Sequence, residues 1–222
     1  MISIAIDGPG GAGKSTLARR LAEELDFIYV DTGAMYRAIG LYALRAGVST
    51  KDEAAVTALL PEIRLELRYA DGAQVILLNG EDVSSAIRAE EVSMAASNVG
   101  AHPPVRAFLL QTQRDMAKTS NVLMDGRDIG TAVLPDATLK IYLTAPAEVR
   151  AARRVAQLAE KGTVADFAGV LEDINRRDWQ DMHRDIAPLR QAEDAVLVDT
   201  GDLNLEDSFL ALRDLIRERT GV

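Results

Sequence analysis

Cysteine is absent from the 222-residue chain, which excludes disulfides and cysteine-held metals as sources of stability or chemistry. No apolar run approaches the ~18 residues that a bilayer-spanning helix needs. Met1-Ile2-Ser3-Ile4 leads straight into a strand-like run, with no basic region, apolar leader or cleavage site. These absences lead us to expect a cytoplasmic protein with no membrane partner. Lysine is scarce too. Lys14, Lys51, Lys118, Lys140 and Lys161 are the only lysines among 25 basic residues, and arginine supplies the rest. Genomic base composition alone produces such a bias, so position must decide what each arginine means. Against 34 acids the formal net charge is −9, which disfavours broad contact with a nucleic-acid backbone. Small anions are still allowed wherever basic residues cluster locally. Trp179, the single tryptophan, is expected to serve packing.

Hydrophobic residues make up 48%, enough for one core and a small inserted subdomain. Ile2–Ile6 reads as a buried strand ending at Asp7-Gly8-Pro9-Gly10-Gly11, and Leu17, Ala18, Leu21, Ala22 and Leu25 recur at helical spacing. A strand over Phe27–Val30 and helices over Ala34–Ala46 and Lys51–Leu60 follow, the last closed by Pro61. Then the period changes. Ile63–Tyr69 alternates strictly, Asp71-Gly72 signals a hairpin, Gln74–Leu78 returns, and Asn79-Gly80 signals a second turn.

Helical pattern resumes at Glu90 and over Pro104–Lys118. Strands are expected at Asn121–Asp125, Leu139–Leu143 and Ala195–Asp199. The intervening helices run Pro146–Glu160, from Asp166 to Met182 after a break at Gly162, and Leu205–Arg219. Strands alternating with helices imply parallel crossover units. The expected fold is a three-layer α/β fold with a parallel core sheet over 1–62 and 99–222. A small antiparallel insert occupies 63–98, and a helical lid about 153–166.

Gly8-Pro9-Gly10-Gly11-Ala12-Gly13-Lys14-Ser15 matches G-x-x-x-x-G-K-[ST], with a strand before it and an amphipathic helix after. Glycines let successive N–H groups turn inward on a phosphate, and the helix N-terminus adds partial positive charge. Lys14 would reach the β/γ-phosphates of ATP, and Ser15 would ligate Mg²⁺. Asp125, at a strand end, is a candidate to hold the metal through a water, or else a cap for the turn after it. Gly8, Pro9, Gly10, Gly11, Ala12, Gly13, Lys14, Ser15 and Thr16 form the expected nucleotide-binding set, which makes the expected three-layer α/β fold a P-loop NTPase fold.

Switch GTPases share this loop, but none of Asn79, Asn98, Asn121, Asn175 or Asn204 is followed by Lys, so their N-K-x-D guanine reader is missing. A kinase of small phosphorylated acceptors needs a second anion site built from arginines. Asp31-Thr32-Gly33-Ala34-Met35-Tyr36-Arg37 and Gly126-Arg127-Asp128-Ile129-Gly130 both follow strands, at the sheet edge where open α/β folds bind ligands. Arg177, Asp181 and Arg184 are spaced to share one helical face, and Arg153 and Arg154 precede the Gly162 break. An exposed salt-bridge ladder, a solvated face and a turn pair are the bland alternatives for these three groups.

Together with Glu81-Asp82-Val83-Ser84, Ile87-Arg88, Asp125 to Thr131, and Arg184 before Ala187-Pro188-Leu189, these stretches resemble the bacterial cytidylate kinases over nearly the whole chain. The resemblance implies a phosphotransferase moving the γ-phosphoryl of ATP to CMP or dCMP with Mg²⁺, and a CMP site between core and insert. It implies that Ser97, Arg106 and Asp128 read cytosine and that Tyr36 packs on the nucleotide. Arg37, Arg127 and Arg184 would hold the CMP phosphate near Thr32. Arg177 and Asp181 would meet the sugar or the transferring charge. Arg153 and Arg154 would act as lid arginines beside the catalytic Lys14, Arg177 and Arg184. A monomer is expected. A nucleoside monophosphate kinase of the same class preferring UMP or dCMP, and a P-loop switch or non-catalytic nucleotide-binding module, remain as alternatives, and His102 and His183 are not needed for this chemistry.

Overall fold

The structure, a computed structural model, describes residues 1–70, 73–160 and 162–222. The expected turn at Asp71-Gly72 lies outside the described residues. In chain order the elements are β1 (Ser3–Asp7), α1 (Lys14–Glu24), β2 (Ile28–Asp31), α2 (Thr32–Arg45) and α3 (Glu53–Leu59). Next come β3 (Leu65–Ala70), β4 (Ala73–Leu78), β5 (Glu81–Asp82), α4 (Glu90–Gly100) and α5 (Pro103–Thr119). The chain closes with β6 (Val122–Gly126), β7 (Leu139–Thr144), α6 (Ala147–Glu160), α7 (Phe167–His183), β8 (Val196–Asp199) and α8 (Leu205–Thr220). Two compact units divide it: Met1–Ile28 with Ser120–Val222, and Tyr29–Thr119.

The first unit is built on a five-stranded sheet of order β2-β6-β1-β7-β8, which β2 enters through Ile28, its N–H donating to Asn121 C=O. β1 is central because Ile4, Ala5 and Ile6 are wholly buried and can be covered on both faces. It pairs in parallel with β6 and β7, placing Asp7 opposite Gly126 and Tyr142. The segments leaving β1, β6 and β7 therefore emerge at one sheet edge, on either side of the central strand, where ligands of such sheets bind. α1 buries Leu17, Ala18, Leu21 and Ala22 as one stripe against β1 and β6, while α8 lies on β7 and α6 packs along α7. α7 is capped by Asp166, whose carboxylate accepts from Gly169 N–H at 2.9 Å, and Gly162 before it has φ 77°.

The second unit packs α2 against α4 so closely that a Cβ on Gly40 would stand 3.0 Å from that of Ala95. Met35, Ile39, Ile76, Leu78, Ile87, Val92, Val99 and Leu109 form its core. Its sheet, β3-β4-β5, is antiparallel, with Leu65 opposite Leu78 and Leu77 opposite Asp82. The second turn is as expected: Asn79 and Gly80 have φ of 52° and 86°, the pair of left-handed residues that a two-residue hairpin demands. This sheet lies inside the 63–98 stretch, whereas the compact unit holding it is longer. α3 starts two residues later than its apolar pattern, because the Asp52 carboxylate caps Ala55 N–H at 3.0 Å.

Candidate functional site

The phosphate loop leaves β1 against the backbone of β7. A Cβ on Gly8 would fall 1.9 Å from Leu143 O, so only glycine can start the loop. Gly13, with φ 91°, turns the chain into α1, and Lys14 opens that helix. The Lys14 ammonium donates to Gly8 C=O at 2.8 Å and Pro9 C=O at 2.7 Å, folded over its own loop. Burial and then the Arg127 guanidinium push Lys14 down to about 7, against the pull of Asp125, Asp7 and Asp181. Ala12 is buried and Thr16 exposed, while Ser15 on the first turn of α1 donates its hydroxyl to Asp125 Oδ2 at 2.9 Å.

A hydroxyl paired with a strand-end carboxylate beside a phosphate loop suits Mg²⁺, which takes oxygen ligands and keeps waters and substrate phosphates for its other positions. Asp7, across from Asp125's strand, has a different task. Its carboxylate accepts from Ile129 N–H and Gly130 N–H, both at 2.7 Å, and so pins the π-helical turn Ile129–Val133 directly after Asp128. Burial pushes Asp7 up to about 6 despite those two donors.

Arginines gather over the loop. Measured from where a Cβ on Gly10 would stand, Arg127 Nη2 is 3.4 Å away and Arg177 Nη2 3.8 Å. Arg127 Nε donates to Asp181 Oδ2 at 2.7 Å. Burial works against the charge of Arg127, but Asp181, Asp125 and Asp178 outweigh it and raise the guanidinium above its ordinary value. Arg184 Nε donates to Ala187 C=O at 2.7 Å, and its Nη2 lies 3.3 Å from Asp128 Oδ1. The spacing argument for one helical face holds only in part. α7 ends at His183, and Arg184 is extended (φ −68°, ψ 144°), turning back to Asp128 rather than continuing the face of Arg177 and Asp181. Asp181 also reaches beyond its own helix, since Arg127 comes from the loop after β6.

In the second unit Asp31 caps α2 through Ala34 N–H at 2.9 Å. It also accepts from Arg37 Nη2 at 2.8 Å and from Arg88 Nη2 at 3.3 Å. Thr32 is the buried first residue of α2, and Ser97 is half-buried on α4. Arg106, buried on α5, donates to Gly100 C=O at 3.2 Å and stands 5.6 Å from the Tyr36 ring centroid. His102 is buried on Thr50 C=O.

The two lid candidates fare differently. Arg154 is half-buried on α6, while Arg153 Nη2 donates to Thr200 C=O at 2.6 Å and Leu203 C=O at 3.2 Å, anchoring α6 to the segment between β8 and α8. Trp179 is not the packing residue expected: it is 65% exposed and stacks on His183 at 4.7 Å. Sequence reasoning named Asp31 and Arg88 only inside motifs, with no role of their own, and missed Asp7 and Arg150. Asp7 carried one signal, as an acid closing a wholly apolar strand. Arg150 carried none, because an arginine in a first helical turn looks like surface.

The family model described as cytidylate kinase matches residues 4–217. Cytidylate kinase of Caldicellulosiruptor saccharolyticus is 47% identical over 220 residues, covering 99% of this chain and 97% of that one. Cytidylate kinase of Caldicellulosiruptor bescii is 49% identical over 214 residues, covering 96% and 95%. That of Geobacillus kaustophilus is 47% identical over 220 residues, covering 99% and 98%. Among solved structures, an uncharacterized protein from Eubacterium ventriosum shares the fold at TM-score 0.55 and 13% identity, covering 99% of this chain and 100% of that one.

Proposed function

Because this chain belongs to the cytidylate kinase family, we infer that it transfers the γ-phosphoryl group of ATP to CMP or dCMP, giving ADP and CDP or dCDP. The observation that carries this reading is the convergence of Arg127 and Arg177 on Gly10 of the phosphate loop. A loop that takes one phosphate, faced by fixed guanidiniums suited to another, is what transfer between two phosphates requires.

Loop N–H groups and the N-terminus of α1 take the ATP phosphates, and Lys14 exchanges its loop carbonyls for the β- and γ-oxygens. Ser15 would ligate Mg²⁺ and Asp125 would hold it through a water, and the metal when bound would neutralise charge on the phosphates. The acceptor oxygen is already anionic near neutral pH, so no general base is needed, and rate comes from in-line positioning and charge neutralisation. In the first unit Arg127 and Arg184 take the CMP phosphate, while Arg177 and Asp181 meet the sugar or the migrating charge. In the second, Arg37 adds a phosphate contact near Thr32, and Tyr36 packs on the nucleotide.

Cytosine is read by donor–acceptor pattern. Asp128 accepts from the exocyclic amino group, Arg106 donates to the ring N3 or O2, and Ser97 completes the edge. Uracil reverses the pattern at two positions, leaving polar groups unpaired at ~1 to 3 kcal/mol each. Residues 63–98 serve as the acceptor-binding insert and about 153–166 as the lid. Arg154 is the lid's ready arginine, and Arg153 acts there only after releasing Thr200 and Leu203. All these residues belong to one chain, so a monomer suffices, and ATP and CMP place the work in the cytoplasm. No helix among the described residues is long and apolar enough to cross a membrane.

The test is ADP formation from Mg·ATP with CMP, dCMP, UMP, AMP and GMP supplied separately. Turnover confined to CMP and dCMP is expected. Equal turnover with UMP overturns the cytosine assignment, and ATP binding without acceptor-dependent turnover overturns the kinase reading.

A further inference from the structure

Arg150, in the first turn of α6, is only 5% exposed, and its guanidinium is used in three directions. Nε donates to Ala145 C=O at 2.8 Å, fixing the stem against the end of β7. Nη2 meets Asp178 Oδ2 on α7 at 2.7 Å, which neutralises the buried charge. Nη1 donates at 2.9 Å to the carbonyl of Gly10, in the middle of the phosphate loop. The loop lies directly on this side chain, since a Cβ on Gly11 would stand 3.4 Å from Arg150 Cβ.

In a trans peptide the C=O and the following N–H point in opposite directions. With the Gly10 carbonyl turned onto Arg150, the Gly11 N–H points away from α6. Two consecutive glycines impose almost no steric preference on that peptide, so an external partner must choose its orientation. The same peptide with its carbonyl turned the other way would present oxygen, not N–H, to a phosphate.

We propose that Arg150 is a positioning residue for the triphosphate: by holding the Gly10 carbonyl it keeps the Gly10–Gly11 peptide in the orientation that offers N–H to ATP. Asp178 balances its charge and does not itself set the loop. The assignment rests on the reading that the loop binds ATP, and it concerns the donor, not the acceptor.

Calorimetric titration of the full chain with Mg·ATP and, separately, with CMP tests it. Arg150→Lys, which keeps the charge but cannot span all three partners, is expected to weaken ATP binding by about tenfold or more, the scale of one charge-assisted hydrogen bond. CMP affinity stays within about threefold, and in kinetics KM for ATP rises while KM for CMP does not. Asp178→Asn, which leaves the Gly10 bond in place, keeps ATP affinity within about threefold of the wild type.

The intact protein adds a measurement free of any folding defect: saturation with Mg·ATP protects the Gly11 amide from hydrogen exchange. Unchanged ATP affinity in Arg150→Lys, an equal loss in Asp178→Asn, or an unprotected Gly11 amide overturns the proposal. A wild-type protein that binds no ATP overturns the functional reading and this assignment with it.

Discussion

Arg127 and Asp181 meet at 2.7 Å with both side chains largely shielded from water, tying the loop after β6 to the last turn of α7. Removing the carboxylate leaves a buried guanidinium without its counter-charge. Asp181→Asn is expected to lower kcat/KM for CMP by about 10- to 100-fold while KM for ATP changes less than about threefold, by the same single-bond scale. Burial alone would raise the Asp181 carboxyl, but Arg127, Arg184 and Arg177 outweigh it and hold it below the usual range. A depressed folded value means stability present above the unfolded value and lost as pH falls through the folded one. The wild type therefore loses more of its thermal stability than Asp181→Asn between pH 5 and pH 3, and parallel melting curves over that interval would count against the pairing.

Lys14 gives a signature in binding. At about 7 in the free protein, it must be protonated to face a triphosphate, whose negative charge then raises it again. ATP binding above neutrality should take up a proton, and affinity should be roughly fivefold weaker at pH 8 than at pH 7. Calorimetry in two buffers of different ionisation enthalpy reads the proton count directly. An uptake near zero at pH 8 shows a lysine charged throughout.

Asp7 works in the opposite sense. Its carboxyl, raised from 3.8 to about 6, is penalised when ionised, so its stability contribution is complete below the unfolded value and lost as pH rises through about 6. That interval corresponds to about 3 kcal/mol. The stability difference between wild type and Asp7→Asn, from urea unfolding, should be largest near pH 4 and shrink towards pH 7. A constant difference refutes the buried, perturbed carboxyl.

Ser15 and Asp125 predict a metal phenotype. Asp125→Asn should raise the Mg²⁺ concentration for half-maximal turnover by about tenfold, with the rate largely recovered at saturating metal. A loss of rate that no Mg²⁺ concentration restores would make Asp125 a structural residue instead.

Much of the fold was legible because its signals are local. Ile4-Ala5-Ile6 followed by Gly8 to Ser15 is a strand, a loop and a helix within one short stretch. The strict alternation of Ile63 to Tyr69 and the Asn79-Gly80 pair likewise announce the antiparallel sheet. Boundaries slipped where a side chain decides them. α2 begins at Thr32, not Ala34, because Asp31 caps it, and Thr32-Gly33 looks like a turn until that bond is known. What stayed hidden joins distant residues through side chain and backbone. Asp7 holds Ile129, Arg150 holds Gly10, and Arg153 holds Thr200. No periodicity encodes such pairs. The extended backbone of Arg184 was hidden for a related reason, since an i+7 spacing cannot say that the helix has already ended.

The first unit is assembled from two stretches of chain that the second interrupts. Ser3 pairs with Val122, and Ile4 with Leu123, so the central strand has no neighbour on either side until more than half of the protein has been made. Tyr29–Thr119 is contiguous and can complete its own contacts during that wait. On the ribosome the second unit can therefore fold before the first, although the first unit's opening strand is made earlier. The apolar run Ile4-Ala5-Ile6 is an unpaired, aggregation-prone strand until residues beyond 120 emerge, and slowed translation of residues 29–119 lengthens that exposure.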